Sequence, residues 1–187
     1  MQQTMKKLAI LGLGAVLGCS FPDASVLAVP NPVMVHKTYA DAANHVGFVP
    51  LYLPSVSGYN LSRISTIAHN MAELHFDKQG APNTTIRLRT AKTAAEFAPS
   101  PESISGVYGV EWEKQLTGSG LTVYVGKIGT TEYNAYWEVG NYRFSAYGKQ
   151  IAYEDFSRLI TDVLLDLSSH YYTLSENKLA ATTLPKN

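Results

Sequence analysis

The chain has 187 residues, 15 Lys and Arg against 15 Asp and Glu, and 45% hydrophobic positions. That length and apolar content suit one globular core. The charge balance and a charged fraction of only 16% exclude both the basic footprint of a nucleic-acid binder and the composition of a disordered chain. A single cysteine excludes an internal disulfide and a thiolate zinc site, so the fold must stand on packing.

Lys6 and Lys7 precede ten apolar residues, Leu8 to Leu17. This stretch is shorter than the roughly 20 residues that span a bilayer and fits the hydrophobic region of an export signal. Residues 1–28 are therefore expected to be an address and no part of the fold. Within them, Val16-Leu17-Gly18-Cys19 resembles a bacterial lipoprotein box, in which the Cys19 thiol receives a lipid, although Leu17 departs from the usual small or β-branched residue. Val26-Leu27-Ala28 is a rival site for a general signal peptidase, cleaving after Ala28. By either route the mature part is expected outside the cytoplasm, in the periplasm or at the cell surface, with lipid at Cys19 as its only membrane contact. The glycines from Gly12 to Gly18 do not make a dinucleotide-binding loop, because no strand and helix flank them in the required order.

Residues 29–37 contain Pro30 and Pro32 and read as an extended leader. Tyr39, Ala42, Ala43 and Val46 then fall at helical spacing, with Thr38 as cap and Gly47 as stop. Phe48 to Pro54 is an apolar strap interrupted by prolines, and Ser57-Gly58 turns it into a strand from Tyr59. Ala72, Leu74 and Phe76 alternate with Glu73, His75 and Asp77. After a turn around Gly80, Ile86 and Leu88 alternate with Arg87 and Arg89. These segments predict a hairpin with one wet face, on which acids and arginines pair across strands.

A long connection from Thr90 to Ser105, with Phe97 as its lone aromatic, has room for a helical turn. Four more alternating segments follow, marked by Tyr108, Val110 and Trp112, by Leu121, Val123 and Val125, by Tyr133, Ala135, Trp137 and Val139, and by Tyr142, Phe144 and Ala146. Phe156, Leu159, Ile160, Val163, Leu164 and Leu167 make the apolar stripe of a helix from about Tyr153 to Leu167. Residues 171–187 read as a polar tail. The fold class expected is α+β, one domain over 38–170: an antiparallel meander of about six strands, a short N-terminal helix, and a C-terminal amphipathic helix packed on one face.

The helix leading into Gly47-Phe48-Val49-Pro50, Leu53-Pro54 before Gly58-Tyr59, Trp137 with Gly140 and Tyr142, and the helix holding Phe156 and Ile160 together resemble the bacterial extracytoplasmic domain-of-unknown-function family 4367. The resemblance covers about Thr38 to Leu167 and implies location and fold, since that family brings no catalytic residues. Some of its members look like the outer part of anti-sigma factors. This chain lacks their cytoplasmic zinc-binding segment and internal transmembrane helix, which argues against that role.

The five histidines show no His-x-x-x-His or His-Glu-x-x-His spacing and read as surface or capping residues. No Gly-x-Ser-x-Gly elbow occurs, and Ser119 lies at an expected hairpin tip. Glu111 and Glu113 share a strand face but come from one element, whereas catalytic carboxylate pairs flank a cleft. No catalytic residue, cofactor or metal is therefore expected. The candidate binding face is Tyr124, Tyr136 and Tyr147 with Arg143. Alternation sets them, with Thr122, Asn134, Glu138 and Ser145, opposite the core. The expected function is a noncatalytic envelope domain that binds another envelope protein or a surface ligand and no nucleic acid. The alternative is a carrier holding an apolar ligand or lipid between sheet and helix.

Overall fold

The computed structural model describes residues 32–93, 101–116 and 120–172, all within one compact unit, Asn31–Asn187. The expected export segment with Cys19, Phe97, Ser119 and the tail beyond residue 172 lie outside the described residues. Eight strands are described: β1 (Val33–His36), β2 (Tyr59–Ile67), β3 (Met71–Lys78), β4 (Ala81–Lys92), β5 (Glu113–Leu116), β6 (Thr122–Gly129), β7 (Glu132–Val139) and β8 (Tyr142–Lys149). They form one open antiparallel sheet in the order β1-β2-β3-β4-β8-β7-β6-β5.

The α+β class agrees with the patterning, but eight strands replace the expected six or so. The two outermost, β1 and β5, have four residues each, too few to show a period of two with any contrast. β1 falls within the expected leader and pairs along β2 from Val33↔Ile67 to His36↔Ile64. β5 begins only at Glu113. Ahead of it, Gly106 and Gly109 take φ of +66° and +69°, which breaks the extended run expected around Tyr108 and Val110.

The sheet is also two meanders, β1–β4 and β5–β8, joined where β4 pairs with β8 from Thr85↔Lys149 to Lys92↔Tyr142. The chain leaving β4 must therefore pass β8, β7 and β6 to reach β5. That is four interstrand spacings of about 4.8 Å, or about 19 Å. The five-residue helix α2 (Pro101–Ser105) of this connection lies on one face of the sheet, where Ile104 packs on Met71, Ala91 and Tyr136.

The other face carries the main core. α1 (Tyr39–Val46) starts where the Asp41 N–H donates to Thr38 Oγ1 at 3.1 Å and stops at left-handed Gly47, whose N–H returns to the Ala43 carbonyl. The proline strap after it cannot join the sheet, so side chains satisfy its backbone. Tyr39 O–H donates to the Pro50 carbonyl, Tyr172 O–H to the Val49 carbonyl at 2.7 Å, and Leu51 N–H to Thr90 Oγ1 at 2.9 Å.

The C-terminal helix runs as α3 (Tyr153–Arg158), a π-helical segment (Leu159–Leu164) and α4 (Leu165–Tyr172). A π turn takes up an extra residue, and the inward stripe shifts accordingly. Phe156, Leu159, Ile160 and Leu164 are buried as expected, but beyond them Leu165, Ser168 and Tyr172 face the sheet, while Val163 and Leu167 are only half-buried. This helix approaches β8 at Gly148, where a Cβ would lie 2.7 Å from Phe156 Cδ2 and 2.9 Å from Ile151 Cγ2. Gly148→Ala is expected to destabilise by about 1–3 kcal/mol through overpacking. The check is a lowered urea midpoint with unchanged slope.

Candidate functional site

Strand alternation places a second set of side chains on the face away from the C-terminal helix. Register aligns them in rows across the sheet. One row runs Glu73↔Arg89↔Ser145↔Tyr136↔Tyr124, the next His75↔Arg87↔Tyr147↔Asn134, and a third Ala91↔Arg143↔Glu138. All four residues expected to make the binding face, Tyr124, Tyr136, Tyr147 and Arg143, are on this side.

At the middle of the sheet, Glu73 anchors a charge cluster. Its Oε2 lies 2.7 Å from Arg89 Nε and 2.6 Å from Arg89 Nη2, and its Oε1 lies 2.8 Å from His75 Nε2. Glu73 is only 8% exposed. Burial alone would raise its carboxyl, but the His75 hydrogen bond and the Arg89 guanidinium outweigh it and hold the group at about 2. The arginines have spare donors. Arg87 Nη2 reaches the Ser105 carbonyl at 2.8 Å and Arg89 Nη1 the Ile104 carbonyl at 3.2 Å. These carbonyls end α2 without intrahelical partners, and a cation is the favoured cap there.

The expectation of one wet face is corrected here. Ile104 of α2 is fully buried against Met71, Ala91 and Tyr136, with Ile67, Trp112 and Tyr124 packed around them. Trp112, which marked an expected alternating strand with Tyr108 and Val110, packs against this second apolar cluster. Met71 and Ala91 occupy the same alternation class as Glu73 and Arg89, so the patch that receives Ile104 was present in the sequence as two apolar residues among charged ones.

Toward the β6 side the face opens into a groove of about 480 Å³ lined by Thr122, Tyr124, Tyr136 and Glu138. The two tyrosine rings stand 6.0 Å apart. Tyr136 O–H donates to Glu138 Oε1, which also accepts from Arg143 Nε at 2.8 Å. Tyr136 is 4% exposed and so forms the groove floor, where the sequence suggested a surface ring, while Tyr124 is half-buried. Tyr147 is placed apart from this groove. Its ring lies under Arg87, 4.9 Å from the guanidinium carbon, and its O–H donates to Glu132 at 2.7 Å. Burial first, then the Glu132 hydrogen bond and charge, push its hydroxyl up to about 12.

The structure thus joins Tyr136 and Arg143 through Glu138, sets Tyr124 against the Tyr136 ring, and gives Tyr147 to the arginine cluster. The groove offers aromatic edges, a threonine hydroxyl and a half-exposed carboxylate, a set suited to recognition. Glu111 and Glu113 are both exposed and contribute nothing to it. An open cleft of about 310 Å³ lies where the C-terminal helix meets the ends of β2 and β3, lined by Tyr59, Lys78, Asp155, Arg158, Asp162 and Val163 among others. Beneath the helix the centre of the interior is packed. Trp137, Phe76, Phe144, Phe156, Leu53 and Ile160 are each at or below 1% exposure. Among the described residues no helix is long and apolar enough to cross a membrane.

No protein-family model, curated protein or solved structure matches this chain. The resemblance to family 4367 accordingly adds nothing to the site, which rests on its own geometry.

Proposed function

We propose that this is a noncatalytic extracytoplasmic module of the cell envelope that binds another protein through the sheet face opposite the C-terminal helix. The observation that carries the reading is the groove of Thr122, Tyr124, Tyr136 and Glu138. Its floor tyrosine and its carboxylate are locked by Arg143, so binding would cost little side-chain ordering. Rigid tyrosines beside a charged rim are what protein interfaces concentrate. Support for the envelope setting comes from Lys6, Lys7 and the apolar residues that follow them. The groove reading is preferred to the carrier alternative, because large side chains fill the interior beneath the helix and the cleft beside it is open and edged by Lys78, Asp155, Arg158 and Asp162, a poor lining for a lipid.

The test uses the native envelope. Tyr124→Ala is expected to reduce the principal cross-linked product about tenfold, the loss of one interfacial tyrosine worth about 1.4 kcal/mol. Thr122→Arg, which inserts a long side chain into the groove while removing nothing packed, should do the same. If both variants fold and give the full wild-type cross-linking pattern, the groove is not the interface.

A further inference from the structure

We infer that His36, His45 and His69 form a binding site for a divalent transition ion of the imidazole-preferring class, such as Zn²⁺. They come from three elements: the end of β1, the last turn of α1, and the turn between β2 and β3. The fold stands the rings side by side, with centroids 5.2 Å apart for His36 and His45 and 4.6 Å for His45 and His69. Two imidazoles bound tetrahedrally to one ion through nitrogens at about 2.0–2.1 Å have centroids about 5 Å apart. The spacings of the His36–His45 and His45–His69 pairs are compatible with shared ligation.

Two further observations point to a ligand. His45 Nε2 is buried and has no hydrogen-bond partner, an arrangement that is costly unless something accepts its lone pair or its proton. His36 Nε2 is held 2.9 Å from Thr66 Oγ1. With the N–H on that nitrogen, its Nδ1 lone pair is free, and such an outer-shell bond fixes both tautomer and ring orientation of a ligating histidine. Asp41, one turn before His45 on the same face of α1, is the carboxylate that acts electrostatically on His36 and would be the candidate for an oxygen ligand.

As the rings lie, no three His, Cys, Asp or Glu donors among the described residues converge at metal distance. His69 is the member that must move. It is exposed on a turn with a ring contact to His45 and no hydrogen bond, so its side-chain torsions are free to turn, and the assignment requires that they bring one of its nitrogens to the ion. The site sits at the β1 edge of the sheet, away from the groove on β6 and β7, and does not depend on the proposed binding role.

The experiment is calorimetric titration of chelator-treated protein with ZnCl₂, together with NMR of the imidazole nitrogens. One ion per chain is expected, with resonance shifts in His36, His45 and His69 and none in His170. His69→Ala should weaken binding at least about tenfold, since even outer-shell losses cost that much. Its thermal unfolding in chelator should match wild type, which shows that the turn substitution leaves the fold intact. His45→Ala is expected to abolish binding. No saturable heat for wild type, or binding that both substitutions leave unchanged, overturns the assignment.

Discussion

Glu73→Gln is expected to cost about 3–5 kcal/mol at neutral pH, the loss typical of removing one partner from a buried ion pair. The two arginines that face it are largely withdrawn from water, Arg89 between Glu73 and the Ile104 carbonyl and Arg87 between the Tyr147 ring and the Ser105 carbonyl. An amide in place of the carboxylate leaves their charge uncompensated at the centre of the sheet. Because the same arginines cap α2, the variant should also loosen that helix. Faster amide exchange in Ile104 and Ser105 than in β7 would record this. Equal protection of the two regions would mean that α2 is held by Ile104 packing alone.

The same carboxylate sets an acid limb of stability. Its folded value of about 2 lies below the ordinary 4.5, so the folded state favours the ionised form. The contribution is fully present above pH 4.5 and is lost as pH falls toward 2. The difference of 2.5 units at 1.36 kcal/mol each corresponds to about 3 kcal/mol. Wild type should therefore lose about that much between pH 4.5 and 2 through this residue. Glu73→Gln, with nothing to titrate there, should show a correspondingly shallower acid slope in urea melts at stepped pH. Parallel slopes for the two proteins would assign acid sensitivity to other carboxylates.

How far the sequence led to these features depends on whether they arise locally. The pairing of Glu73 with Arg89 was legible, because period-two alternation puts both on one face and a tight turn at Gly80 leaves little freedom of register. The helix stripe through Phe156 and Ile160 was legible for its first two turns. Its phase beyond Leu164 was not, because the π segment offsets the stripe and brings Ser168 to β7, where it accepts the Trp137 N–H at 2.9 Å. The side-by-side meanders were also hidden. Nothing in a long Ala- and Ser-rich segment says that β4 and β5 stand three strands apart in the sheet, or that Ile104 and Trp112 would cover part of the tyrosine face. The histidine trio illustrates the same limit, since His36, His45 and His69 become neighbours only when β1 pairs with β2. Spacing along the chain reports ligands of one helix or hairpin and is silent on those brought together by sheet assembly.

Trp137→Ala is expected to cost about 3–5 kcal/mol, and its consequences separate the two functional readings. The indole is fully buried, stacked on Phe144 at 5.4 Å, and its N–H is bound to Ser168 Oγ. Truncation opens a cavity beneath the C-terminal helix lined by apolar side chains, and such cavities stay dry and accept small apolar probes. The Ser168 hydroxyl keeps its other bond, to the Leu165 carbonyl at 3.1 Å, so the variant loses transfer and packing energy and leaves no orphaned donor. Ser168→Ala is the complementary change. It preserves the packing and strands the indole N–H, at about 1–3 kcal/mol. A filled interior predicts that an apolar fluorescent probe binds Trp137→Ala and ignores both wild type and Ser168→Ala. Stoichiometric uptake by wild type would instead mean that the helix parts from the sheet to admit a ligand, and the carrier reading would displace the binding module.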